Sequence, residues 1–204
     1  ERGEVDFPKL QQQHTDLDTY VAYIAQLPAT TISNPDTRLA HYINSYNALS
    51  MYNVLASGIP KTHAGLAKIR FFYLREFLIG GKEMSLYAYE NDVIRKLNEP
   101  RVHFALNCSA LGCPILPRRP FTGAGLVQEL DRETRKFFSE QRNLRIDHSN
   151  KTVYLSELLD FYTDDFVTES NPSLIAYVNR YSPEQIPENY AVEFIPYDWT
   201  VANS

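Results

Sequence analysis

A chain of 204 residues, 44% hydrophobic and 13% aromatic, can bury a sizeable core, which excludes intrinsic disorder and favours one domain over residues 1–204. Its 25 acidic against 20 basic residues, a net charge of -5, leave no electrostatic footprint for nucleic acid or an anionic membrane. No stretch approaches the ~18 to 20 consecutive apolar residues of a membrane span, and two cysteines are too few for a disulfide scaffold or a four-cysteine zinc site.

The start, Glu1-Arg2-Gly3-Glu4, has neither an initiator Met nor an apolar signal core. A soluble chain is expected, either a mature form that has lost a leader or one trimmed at its start. From residue 15 to 27, Leu17, Tyr20, Val21, Ile24 and Leu27 recur at helical spacing, and Pro28 ends that first helix. Asn34-Pro35-Asp36 is a helix-start signal, so the longest helix is expected from about Thr37 to Ser57, stopped by Gly58 and Pro60. The aromatic and branched run from Arg70 to Leu86, interrupted by Gly80-Gly81, reads as a β-hairpin. A short helix follows from Ser85 to Leu97, and Val102 to Asn107 reads as a buried strand. Beyond Pro114, Pro117 and Pro120, Leu126, Leu130 and Phe137 mark a helix between Gly123 and Glu140. A hairpin turning at Asp147 to Lys151, helices over Leu155 to Phe166 and Pro172 to Tyr181, and a strand near Ala191 to Ile195 complete an α+β pattern. It is helix-rich, with a small, mostly antiparallel sheet.

Polar residues on apolar faces are informative, because burying one unpaired costs a few kcal/mol. Taking Leu86 as origin and about 100° per residue, Glu90 falls at roughly 40°, inside the stripe of Val93, Ile94 and Leu97. It is either a paired structural carboxylate or a group that orients a histidine or acts as a base. On the long helix Asn44 and Asn47 share a face beside Tyr46, suited to fixing irregular backbone or to contacting a ligand or oxyanion. His103 is followed within ten residues by Cys108 and Cys113, where an apolar run meets a Gly/Pro-containing loop. A thiolate and its base can sit there, provided the chain turns near Asn107, since regular geometry points His103 and Cys108 apart. Inert packing or a local Cys108–Cys113 disulfide are the alternatives. So crowded a set matches no closed zinc site, and neither metal nor cofactor is expected. His14, His41, His63 and His148 read as surface or simple packing residues. Asn107-Cys108-Ser109 matches a glycosylation sequon, which would clash with a buried cysteine.

Ala40-His41-Tyr42-Ile43-Asn44-Ser45-Tyr46-Asn47-Ala48-Leu49 resembles the AFWINxYNAL signature of the domain-of-unknown-function 547 family, DUF547. Arg101 to Leu116 (RVHFALNCSALGCPIL) resembles its RIHFALNCxSxxCPxL segment. Met84-Ser85-Leu86 with Glu90, Phe121-Thr122 with Arg135, Phe137 and Phe138, Leu155-Ser156 to Phe166, and Tyr197-Asp198-Trp199 extend the similarity over residues 15 to 203. The chain departs from the family at His41 for Phe, Tyr42 for Trp, and Asn91 for the His after the glutamate.

The resemblance implies kinship with papain-like and transglutaminase-like cysteine hydrolases, as a permuted core because His103 precedes Cys108. It implies a thiol hydrolase or acyl transferase acting on a peptide or small amide or ester. Cys108 is then the nucleophile, His103 the base and Glu90 the orienter of the imidazole, with Asn44, Asn47, Tyr46 and Cys113 as oxyanion or supporting residues. A non-catalytic binding domain, with the Glu-His-Cys cluster as a buried polar network, is the other reading. The resemblance also implies an exported bacterial protein, periplasmic or secreted.

Overall fold

The computed structural model describes residues 3–204; Glu1 and Arg2 of the charged opening lie outside the described residues. The chain is α+β and divides into two compact units, one running to Glu129 and including Asp198–Ser204, the other Leu130–Tyr197.

The first unit is organised by α3, Pro35–Ala56. The Asn34 side chain accepts the Thr37 N–H at 2.8 Å and Pro35 occupies the first turn, so the start signal read in the sequence acts as a cap. Leu39, Ile43, Leu49 and Val54 are buried on it, and so are Ser45, Asn47, Ser50 and Asn53. A helix buried on most of its faces is the centre of a core. Before it come α1, Phe7–Gln12, and α2, Thr15–Gln26, which packs on α3. After it, α4, Leu66–Ile69, continues as a π-helical turn over Arg70–Leu74.

The hairpin is shorter than the sequence suggests, because Arg70–Leu74 is helical. It comprises β1, Glu76–Ile79, and β2, Lys82–Ser85, paired antiparallel. Gly80 and Gly81 turn it at φ 56° and 83°, values two successive non-glycine residues rarely take. Their N–H groups donate to the carbonyls of Ile24 and Ala25, each at 2.9 Å, and so cap the end of α2. The Ser85 hydroxyl then caps α5, Leu86–Ala88, which runs on as a π-helical turn over Tyr89–Ile94 and a 3-10 turn over Arg95–Leu97. These changes of pitch alter the face expected at 100° per residue. Leu86, Glu90 and Ile94 are buried, but Leu97 is exposed.

The expected strand at Val102 to Asn107 is not one. Pro100–Phe104 is a 3-10 helix, opened by Pro100, and the N–H groups of Ala105 and Leu106 both donate to the Val102 carbonyl. A short apolar run carries no period that separates a buried strand from a buried helix, and the segment is buried continuously from Val102 to Ala110.

Helix α6, Leu126–Ser139, begins near the end of the first unit's sequence. In the second unit β3, Leu144–Asp147, and β4, Thr152–Ser156, pair antiparallel, while β5, Ala191–Ile195, adds to β4 in parallel. Among the described residues the strands thus fall into two sheets, antiparallel except at that pairing. The turn between β3 and β4 is held by the Asp147 carboxylate. It accepts from the side chains of Ser149 and Asn150 and from both their N–H groups, which pulls its pKa down to about 2. The helix expected from Leu155 starts later, because β4 claims Leu155 and Ser156, and it splits into α7, Leu158–Phe161, and α8, Thr163–Phe166. With α9, Leu174–Val178, these bury Leu159, Phe166, Ile175, Tyr177 and Val178.

Gly123 packs against the first turn of α3. A Cβ there would stand 2.8 Å from both the Cα and the N of Thr37, which are backbone atoms that cannot swing away. We expect Gly123→Ala to destabilise the chain by about 1 to 3 kcal/mol in urea denaturation. A variant as stable as the parent would contradict this close approach.

Candidate functional site

The polar residues of α3 form a ladder with a spacing of three: Asn44, Asn47, Ser50 and Asn53. Three residues turn a helix about 300°, so each rung steps about 60° back around the axis and meets a different segment. Asn44 accepts from the Phe121 N–H and donates to its carbonyl, both at 2.9 Å. Asn47 donates to the Ala105 carbonyl at 3.0 Å and accepts from the Asn107 N–H at 2.8 Å. The Ser50 hydroxyl lies 3.3 Å from that of Ser109, and Asn53 donates to the Phe71 carbonyl at 2.9 Å. An amide has a donor and an acceptor side by side, which allows it to complete irregular backbone that has no ladder of its own.

Asn107 repeats the device within the loop, donating to the Pro114 carbonyl and accepting from the Ser109 N–H, both at 2.7 Å. Its buried, doubly engaged side chain is no glycan acceptor. Ser109, immediately after Cys108, is buried at φ 64°, a left-handed conformation sparsely populated by non-glycine residues. The carboxy-terminal segment also supports the loop. Leu111 and Gly112 donate to the carbonyls of Thr200 and Asp198, and Ala202 donates to that of Ser109, each at 2.8 Å.

Cys108 and Cys113 are thiols within this loop, not a disulfide. Their sulfurs are 3.0 Å apart, and the Cys108 N–H donates to the Cys113 sulfur at 3.0 Å. Glu90 lies on the π-helical turn and accepts from the Tyr46 hydroxyl at 2.9 Å. Tyr46 immediately precedes Asn47, so Glu90 and the 105–107 segment are tied to the same turn of α3. His103 sits in the 3-10 helix leading into that segment. All four groups are buried: Glu90 is 6% exposed, His103 2%, Cys108 7% and Cys113 4%. Among the described residues, no cluster of three or more His, Cys, Asp or Glu stands ready to hold a metal.

The other histidines divide between surface and packing positions, and His63 is a buried packing residue. His14 meets Asp18 at 2.7 Å, His41 lies 3.3 Å from the Ser45 hydroxyl, and His148 joins Tyr190 and Glu184, both at 2.7 Å. His63 is fully buried, its ring 4.0 Å from that of Phe71 between centroids, with no hydrogen-bond partner on either nitrogen. Burial pulls its pKa down to about 4. The nearby Cys108 backbone works against that shift without forming a well-aligned bond. The His63 backbone N–H, by contrast with its ring nitrogens, donates to the Trp199 carbonyl at 2.9 Å, next to the stretch that supports the cysteine loop. Nothing in Pro60 to Gly65 has a period that announces this burial.

A histidine buried neutral has a folded pKa below its unfolded one, so the unfolded chain binds more protons as the solution is acidified. The stability contributed by His63 is full above its ordinary pKa of 6.5 and is lost as pH falls towards 4. The loss is on the order of 3 kcal/mol. His63→Phe, which suits the neighbouring Phe71 and Phe72, should flatten that part of the stability profile. An unchanged slope in the variant would contradict the assignment.

No curated protein and no solved structure matches the chain. The family model described as "Protein of unknown function, DUF547" matches residues 30–138, more than half the chain. That range holds the whole α3 ladder, Glu90, His103 and both cysteines. The chain therefore belongs to the DUF547 family.

Proposed function

We propose that the chain is a thiol-dependent hydrolase or acyl transferase acting on an amide or ester of a peptide or small molecule. Cys108 attacks the carbonyl carbon. His103 takes the thiol proton and returns it to the leaving group, and Glu90 holds the imidazole tautomer. Asn44 and Asn47 brace the site, each retaining a second amide hydrogen suited to a developing oxyanion.

The observation that carries the reading is the convergence on one turn of α3. Tyr46 binds Glu90, while Asn47 clamps the chain on the approach to Cys108. Two further features favour it: Glu90 lies on a π-helical turn, a distortion frequent at functional sites, and a left-handed Ser109 follows Cys108. Kinship with papain-like enzymes and export from a bacterial cell belong to the same proposal and rest on the sequence resemblance. Burial of the four groups favours a second reading, a binding domain in which they are a structural polar network.

Alkylation separates the two. The folded, reduced protein is treated with iodoacetamide from about pH 5 to 9, with Cys113→Ser so that only Cys108 reports. Under the catalytic reading, fast alkylation persists near pH 6 and is lost in His103→Ala. Slow alkylation throughout, from a sulfur that an unfolded-state thiol assay shows to be reduced, would contradict it.

A further inference from the structure

We infer that Cys108 and Cys113 are a redox pair that closes reversibly to a disulfide, with a hydroperoxide as the oxidant. The inference deepens the reading of Cys108 as nucleophile, on which its regulatory meaning rests. Its geometric basis is independent of that reading. Two thiols five residues apart have their sulfurs 3.0 Å from each other, so closing to a bond of about 2.05 Å moves each sulfur only slightly. The separation is not left to loop motion. The Cys108 N–H holds the Cys113 sulfur, the Asn107 side chain bonds to both Ser109 and Pro114, and Cys113 donates its own N–H to the Ala110 carbonyl at 3.0 Å. Each end of the loop is anchored where the other sulfur is within reach.

In the first step the Cys108 thiolate attacks one oxygen of the hydroperoxide. The O–O bond breaks, an alcohol or water leaves with the proton the thiol gave up, and Cys108 becomes a sulfenic acid. In the second, the Cys113 sulfur attacks that of Cys108, the S–O bond breaks, and hydroxide leaves with the Cys113 proton as water. The two sulfurs together lose two electrons and the peroxide gains them. A dithiol reductant reverses the change by thiol–disulfide exchange. Such an oxidant is small, which suits sulfurs that are nearly buried. The disulfide occupies Cys108, so the linked form has no nucleophile, and it stops oxidation short of irreversible sulfinic acid.

The test uses the reduced full chain and hydrogen peroxide, read by intact mass and by peptide mapping without reductant. The inference requires the loss of two hydrogen atoms, a linked Cys108–Cys113 peptide, and recovery of the original mass with dithiothreitol. Cys113→Ser should instead gain oxygen atoms at Cys108 that dithiothreitol does not remove. Wild-type protein that gains oxygen atoms without linking, or that shows no change in mass under peroxide, would overturn it. Alkylation of the reduced protein in parallel separates the two ideas. Linking by a Cys108 that is inert to iodoacetamide leaves the pair standing and removes the catalytic reading, whereas an activated Cys108 that never links does the reverse.

Discussion

The paired hydrogen bonds of Asn47, donated to the Ala105 carbonyl and accepted from the Asn107 N–H, are the constraint on which the rest of the first unit depends. The chain from Ala105 to Phe121 has no regular ladder to satisfy its backbone, yet its first part lies in the core. Buried peptide groups without partners would each cost on the order of 1 to 3 kcal/mol. α3 supplies such partners through side chains, with Asn44 doing the same for the Phe121 backbone, while the Ser50 hydroxyl meets that of Ser109. Asparagine disfavours a helix interior, so the ladder lowers intrinsic helix propensity in return for a fixed loop. The cap at Asn34 and burial on most faces offset that cost.

Chemistry follows from how the loop is fixed. A sulfur on a mobile loop would sample many positions, whereas Cys108 is followed by a left-handed Ser109, bonded through its N–H to Cys113, and flanked by residues tied to α3 and the carboxy-terminal segment. The same rigidity sets two sulfurs near each other, while Tyr46 on α3 holds the Glu90 carboxylate. Pre-organisation of this kind serves nucleophilic catalysis, in which geometry must exist before the substrate arrives. Under the catalytic reading burial carries a cost for access, since an acyl substrate would have to reach a sulfur only 7% exposed. That tension is the physical difference between an enzyme and a polar network built from the same residues.

Much of this was legible in the sequence, for identifiable reasons. The long helix was marked by a cap and by Gly58 and Pro60; the hairpin by Gly80-Gly81; Glu90 by its position in an apolar stripe. Asn44 and Asn47 stood out because helices seldom place amides on a buried side. The segment at Val102 was misread as a strand because six residues carry no distinguishing period, and Pro100 opened a 3-10 helix. Leu97 left the stripe because the π and 3-10 turns change the pitch. The rungs at Ser50 and Asn53, and His63 beside the Cys108 backbone, were not legible. Their partners lie far away in sequence, and only the folded chain brings them together.

The most direct test of the account is native-state hydrogen exchange at the amide of Asn107. If Asn47 makes the cysteine loop part of the core, that hydrogen exchanges only by global unfolding, with the same opening free energy as the amides of Ile43 and Leu49 in α3. Exchange through a local opening of much lower free energy, with α3 still protected, would contradict the account. The loop would then be a cover over the helix and not an extension of it.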